Sequence, residues 1–589
     1  MTLALRGSMA LRRVVSVAAL LPALIGVAPA RGIEIEYARF KDPEIDPPRP
    51  VLGVSPASLP LWIQALEASE MDLRREAADT LVEAYRQGLS EAKQAEPALL
   101  KALAAPGQHP LVVAAVARAL IALDCRHAAD SLWAHAQRGS SELAQVIEPA
   151  LAQWDYRPAR TVWLQRLANR ETPRGLLFLA IEGLANVGEQ SAVPTLKALA
   201  VDRTGDAAVR LAAARAVGRL TSAGQESDAR RLAADRTPQG LTDRLVAAWL
   251  LRRHSASSAL AVLEDLAQDP EPAVAAVALQ RLLEADFARI VRLSDKLLAS
   301  PDARVRQLTA QAWVAERTPQ AVSQLGVVLD DPHPGIRAHV RESLLDMASQ
   351  PTLRPAVLEA ARRQLAGRSW RGLEQAVMIL VALEQKDIAD RLVELLDFER
   401  PEVFVAAAWG LRRLAVPATS QRVLTKLEKL RDLQMVDRST AEQDRQFSHL
   451  AEMLGLLRVG EAEPLLRQYV PKNIVLSPSV RGAAIWALGH IRADKPEPEL
   501  ARQLAERVAD VMGILPEAAE VRAMSAIALG RMKAREALPV LRKFSGGPTV
   551  AEATQYACGW AIHCITGEPM PTFITPVLKR RGWFLERLE

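Results

Sequence analysis

A seven-residue opening of the form Asp331-Pro332-x-x-x-Ile336-Arg337, followed by an Ala- and Leu-rich stretch, recurs along this chain. Related openings stand at Leu73-Arg74, Val209-Arg210, Val305-Arg306, Val480-Arg481 and Val521-Arg522, with degenerate copies at Asp269-Pro270-x-x-x-Val274 and Pro401-x-Val403. Arg210, Arg244, Ala275, Arg306 and Arg337 are spaced by 34, 31, 31 and 31 residues. A fixed period of this size marks stacked helical hairpins rather than one compact core. The local logic is simple. Asp or Ser caps a helix, Pro takes an early position where its missing N–H is no loss, and a branched apolar residue begins the buried stripe.

The rest of the chain agrees with an all-α solenoid. At 589 residues it exceeds what a single core organises. Aromatics are 4% against 49% apolar residues, so Ala, Leu and Val supply most of the apolar surface, and Ala and Leu are strong helix formers. Helical periodicity runs from Leu59 to about Thr566, in about fourteen units, and the template fades near 425–475. Before it, residues 31–58 read as an extended Pro-rich arm, with Pro43, Pro47, Pro48, Pro50 and Pro56. After it, residues 567–589 read as a C-terminal cap, with Trp583 and Phe584 expected over the last helix.

Residues 1–30 have the layout of a secretory signal peptide: Arg6, Arg12 and Arg13, an apolar run from Val14 to Ala28, and small residues at Ala28-Pro29-Ala30. Cleavage after Ala30 and export to the periplasm or exterior are the expectation, with an uncleaved N-terminal anchor as the alternative and the only basis for membrane association. Removing this segment leaves 71 basic against 69 acidic residues. That surplus is too small to argue for nucleic-acid binding. Cys125, Cys558 and Cys564 are an odd set and make no disulfide framework.

Openings such as Asp331-Pro332-His333-Pro334-Gly335-Ile336-Arg337 and endings such as Ala487-Leu488-Gly489 and Ala528-Leu529-Gly530 resemble the HEAT-repeat family. The likeness covers most of 59–566 and, with the leader, is similar to exported bacterial HEAT-repeat proteins. It implies the stacked-hairpin architecture, and a solenoid of that kind presents a long surface suited to binding rather than a catalytic pocket. HEAT-fold hydroxylases that hold iron use His-Glu pairs, and no His here is followed by Glu. No phosphate loop, nucleophile elbow or His-Glu-x-x-His is present, and Cys558, His563 and Cys564 match no zinc spacing. His127 and His333 read as structural or solvated. No catalytic residue, cofactor, metal or small-molecule substrate is therefore expected.

One pattern points to a binding surface. Trp249, Trp409 and Trp486 each fall five residues after a second-helix opening at Arg244, Phe404 or Arg481, and Arg253, Arg413 and His490 follow four residues later. Arg219 and Arg531 hold the same slot in two helices without the Trp. These positions lie opposite the buried stripe, on the side that lines the concave surface in a HEAT-like stack. Two readings stay open: a ligand-binding stripe, since Trp and Arg dominate binding hot spots, or packing between units. The favoured function is a non-catalytic scaffold binding a protein, or an acidic polymer, along the concave face. The alternatives are a nucleic-acid binder like the HEAT-like DNA glycosylases and an enzyme-accessory or lyase-type HEAT protein.

Overall fold

The computed structural model describes residues 35–45, 51–53, 56–512, 514–546, 553–570, 577–579 and 583–585. The expected leader and its cleavage site lie outside them, as do parts of the arm and tail. Among the described residues fifteen helical hairpins follow one another, from Leu59–Ala65 with Met71–Arg86 to Leu538–Phe544 with Ala553–Thr566. Each second helix packs on the second helix of the next hairpin, making an unbroken ladder. The single pairing of strands among the described residues is a parallel one, Val51–Gly53 against Val577–Lys579.

The recurrent arginine holds the ladder together. Arg306 is buried, and its Nη1 donates to the carbonyls of Ser300 and Pro301, closing the turn ahead of its own helix. Its Nε and Nη2 reach Asp331 of the next repeat at 2.7 and 3.0 Å. Burial opposes ionisation of Asp331, but Arg306 and the His333 N–H hold its carboxyl below the ordinary range. The same device recurs as Arg210 to Asp243, Arg244 to Asp269 and Arg481 to Glu517. A buried guanidinium needs several acceptors, and in these four repeats the chain ahead of the helix supplies carbonyls while the successor supplies the carboxylate. Among the described residues Arg337 bonds the carbonyls of Asp331 and Pro332 alone.

The Ala-Leu-Gly endings have a steric reason. A Cβ on Gly489 would lie 2.8 Å from the Cα of Ala528, and one on Gly530 would lie 2.8 Å from the Cα of Ala561. Only glycine lets these neighbouring backbones approach so closely.

Two expectations need correcting. Helices Ser420–Met435 and Ala441–Leu456 are long and regular, so irregularity does not extend over 425–475. It is confined to the short helix Glu463–Leu466, the 3-10 turn Arg467–Tyr469 and the loop to Ser477, where Ile474 and Val475 are exposed. Secondly, Trp583 and Phe584 do not cover the last helix. Trp62 of Leu59–Ala65, the first helix, is fully buried and donates from Nε1 to the Phe584 carbonyl, with the Trp583 ring 5.7 Å away. Among the described residues no repeat precedes this helix, and Trp583 and Phe584 take that place.

Candidate functional site

Residues 36–42 of the arm lie against the second-helix face of the C-terminal repeats. Residues Ala38–Phe40 form one 3-10 turn that places Arg39, 1% exposed, between helices Ala441–Leu456, Pro478–Ile491 and Ala519–Met532. Its guanidinium lies 2.7 Å from Glu452 Oε1, 2.8 Å from Glu520 Oε1 and 2.5 Å from Ser479 Oγ. The rings of Tyr37 and Phe40 flank it at 3.9 and 4.7 Å, using the attraction between a cation and an aromatic face. Glu452 Oε2 also accepts the backbone N–H of Ala38 at 2.7 Å and a bond from Arg412, so the site reads main chain as well as side chain.

Asp42 makes the second anchor. Arg531 Nη2 lies 2.8 Å from its Oδ1, His490 Nε2 lies 3.0 Å from its Oδ2, and Trp486 Nε1 donates to its carbonyl. The bond with His490, against some desolvation and with help from Arg531, holds the Asp42 carboxyl below its ordinary range. Burial lowers the His490 pKa, partly opposed by Asp42. Deeper in the face, His449 lies under the Tyr37 ring at 4.8 Å. Burial, then the charges of Arg412, Arg39 and Arg445, push its pKa well down and keep it neutral.

The expected stripe is thus divided. Trp486, His490 and Arg531 come together beneath the arm, with the Arg531 guanidinium 5.0 Å from the Trp486 ring. Trp409 is buried in helix Pro401–Leu414. Arg413 points out, and its neighbour Arg412 turns inward to Glu452 and the Glu36 carbonyl instead. Trp249, Arg219 and Arg253 form a separate group in the N-terminal half. Arg253 donates to the Arg219 carbonyl at 2.7 Å, and Arg219 reaches Asn186 Oδ1 at 2.5 Å. Half-buried Trp249 has the Arg215 guanidinium 4.8 Å from its ring centre. Trp249, Phe178, Glu182, Arg215 and Arg219 line a groove of about 360 Å³ between successive second helices.

Sequence reasoning missed Arg39, Asp42, Arg412, His449, Glu452, Ser479 and Glu520. One signal was present: Ser448, His449 and Glu452 interrupt the otherwise apolar stretch from Phe447 to Leu456, and a buried carboxylate demands a cation.

The remaining chemical residues are taken up structurally. Burial raises the Cys125 and Cys558 thiols to about 12, and His563 Nδ1 contacts the Glu568 carbonyl at 2.6 Å. His333 sits at the turn where its N–H meets Asp331, and His127 is exposed beside Glu96. Among the described residues, no group of three His, Cys, Asp or Glu is placed to hold a metal ion, and no helix is long and apolar enough to cross a membrane.

A family model described as a PBS lyase HEAT-like repeat matches residues 521–546. No curated protein matches the sequence. Among solved structures, one describing Kap95p binding to RanGDP has 12% identity and a TM-score of 0.50, covering 87% of this chain and 72% of that one. A Kap121p structure has 13% identity and a TM-score of 0.49, covering 87% of this chain and 57% of that one. An importin beta structure has 13% identity and a TM-score of 0.45, covering 86% and 72%. This chain spans little more than half the length of the Kap121p chain. At 12% identity the likeness to the Kap95p structure is one of fold alone. One unit thus matches a HEAT-like repeat model, and hairpins are stacked without a break before it, so the fold of the chain is a HEAT-like helical solenoid.

Proposed function

We propose that this HEAT-repeat chain is a non-catalytic, exported scaffold that binds a protein partner along the concave, second-helix face. The observation that carries this reading is the groove at Trp249, where Phe178 and Trp249 offer apolar surface beside the cations Arg215 and Arg219. Aromatic surface next to Arg is the composition of protein-binding hot spots. A partner presenting an apolar side chain flanked by a carboxylate fits it.

The test is capture of partners by the full chain in its native host, using proximity labelling, with wild type against Trp249→Ala and Arg215→Glu/Arg219→Glu. Loss of the same labelled proteins in both variants supports the reading. Unchanged capture by both removes the groove from it, and capture of an acidic polymer alone replaces the protein partner. N-terminal sequencing of the mature protein should begin at Arg31. An intact N-terminus would give the anchored form instead.

A further inference from the structure

We propose that the groove holding the arm is a second recognition site, one that takes an Arg-x-x-Asp segment of a partner protein in exchange for residues 36–42. This rests on the protein-binding reading above but concerns a different set of repeats.

The groove holds its segment by charge at two points three residues apart. Arg39 meets two carboxylates and a hydroxyl, and Asp42, three residues on, meets a guanidinium and an imidazole. Apolar side chains would stabilise a permanent seam at least as well. Buried ion networks are better at selecting one segment over another. The bond from the Ala38 N–H to Glu452 adds recognition of main chain that any segment of this conformation can supply. The fit of the resident segment is also incomplete. Arg412 Nε, Arg531 Nη1 and both His449 ring nitrogens are buried without hydrogen-bond partners beside it. A competing segment with acceptors facing the two guanidinium N–H groups, and one acceptor and one donor facing the neutral imidazole, gains what the arm leaves unmade.

Tethering gives the arm a high effective concentration, so exchange in the wild type needs a strong competitor. The test uses the full chain and a fluorescent synthetic peptide with the sequence of residues 35–45. Full chain carrying Arg39→Ala and Asp42→Ala should bind this peptide at least about thirtyfold more tightly than wild type, read by anisotropy. A peptide with Ala at the position of Arg39 should lose the binding. Equal affinity of wild type and variant, or of the two peptides, overturns the proposal.

A variant that fails to fold leaves the wild type as a second arm. Millimolar peptide should raise amide exchange across residues 36–42 of the chain itself, and no change overturns the proposal. Concentration-dependent dimers that disappear with Arg39→Ala would assign the groove to a second copy of this chain and overturn it as well. Failed exchange with intact capture at the Trp249 groove defeats this inference alone, whereas loss of all capture defeats the broader reading.

Discussion

The Arg39 guanidinium lies 2.7 Å from a Glu452 carboxylate oxygen across 413 residues of sequence. Both side chains are fully buried. Arg412 faces the other oxygen of Glu452 at 3.2 Å, so one carboxylate answers two cations, and Glu520 supplies a second negative charge to Arg39. Residues 36–42 are thus fixed to repeats near the opposite end of the sequence by buried charge, with the Tyr37 ring packed on His449 beside it.

Replacing Arg39 with Met keeps the side-chain length and removes the charge. The cost should be about 3–5 kcal/mol, the usual range when one partner of a buried pair is lost. Amide exchange in Ala441–Leu456 and Pro478–Ile491 should rise first, while the N-terminal hairpins stay protected. Uniform loss of protection would contradict this.

His449 makes stability depend on pH. Its folded pKa lies well below the ordinary 6.5, mainly through burial, with Arg412, Arg39 and Arg445 acting in the same direction. Its contribution is complete above the unfolded pKa and is lost as pH falls towards the folded value. At pH 5.5 the loss relative to neutral pH should be on the order of 1 kcal/mol. His449→Phe, which keeps a ring under Tyr37, should flatten the profile between pH 7.5 and 5.5 in thermal melts.

Gly489→Ala sets two effects against each other. Alanine favours helix over glycine by about 1 kcal/mol, but the new methyl meets the Ala528 backbone at 2.8 Å. Overpacking at about 1–3 kcal/mol should win, with net destabilisation in urea titration. A more stable variant would show that the helices can separate freely.

Arg306 and Asp331 should behave as one unit. Either single Ala replacement leaves a buried charge and should cost about 3–5 kcal/mol, while the double replacement should cost clearly less than the sum. Additive losses in a double-mutant cycle would mean the turn carbonyls, not Asp331, are the main partners of Arg306.

The tryptophans should divide by burial. Trp486→Ala, at a fully buried site, should cost about 3–5 kcal/mol. Trp249→Ala should cost less and act on partner capture instead. Equal destabilisation by both would place Trp249 among the packing residues.

What the sequence disclosed and what it hid differ in range. The repeats were legible because their determinants are local: a cap, a proline, an apolar stripe and an Ala-Leu-Gly ending within about one hairpin. The opening arginines were visible as a pattern, but their role was not, since it depends on an acid in the following unit. Arg39 and Asp42 were unreadable because their partners lie more than 400 residues away and share no motif with them. Trp583 was assigned to the wrong helix for the same reason. Periodicity identifies a surface lacking a neighbour, not which distant segment covers it.

The bond from Trp62 to the Phe584 carbonyl also bears on how such a chain can evolve. Tandem arrays ordinarily gain or lose units by duplication and deletion, because each unit touches only its neighbours. Here an added or missing hairpin would change the rise and rotation between Trp62 and Phe584, and would shift Val51–Gly53 against Val577–Lys579. The number of units is thereby tied to the meeting of the two ends, and relatives that keep Trp62 and Phe584 should keep the count.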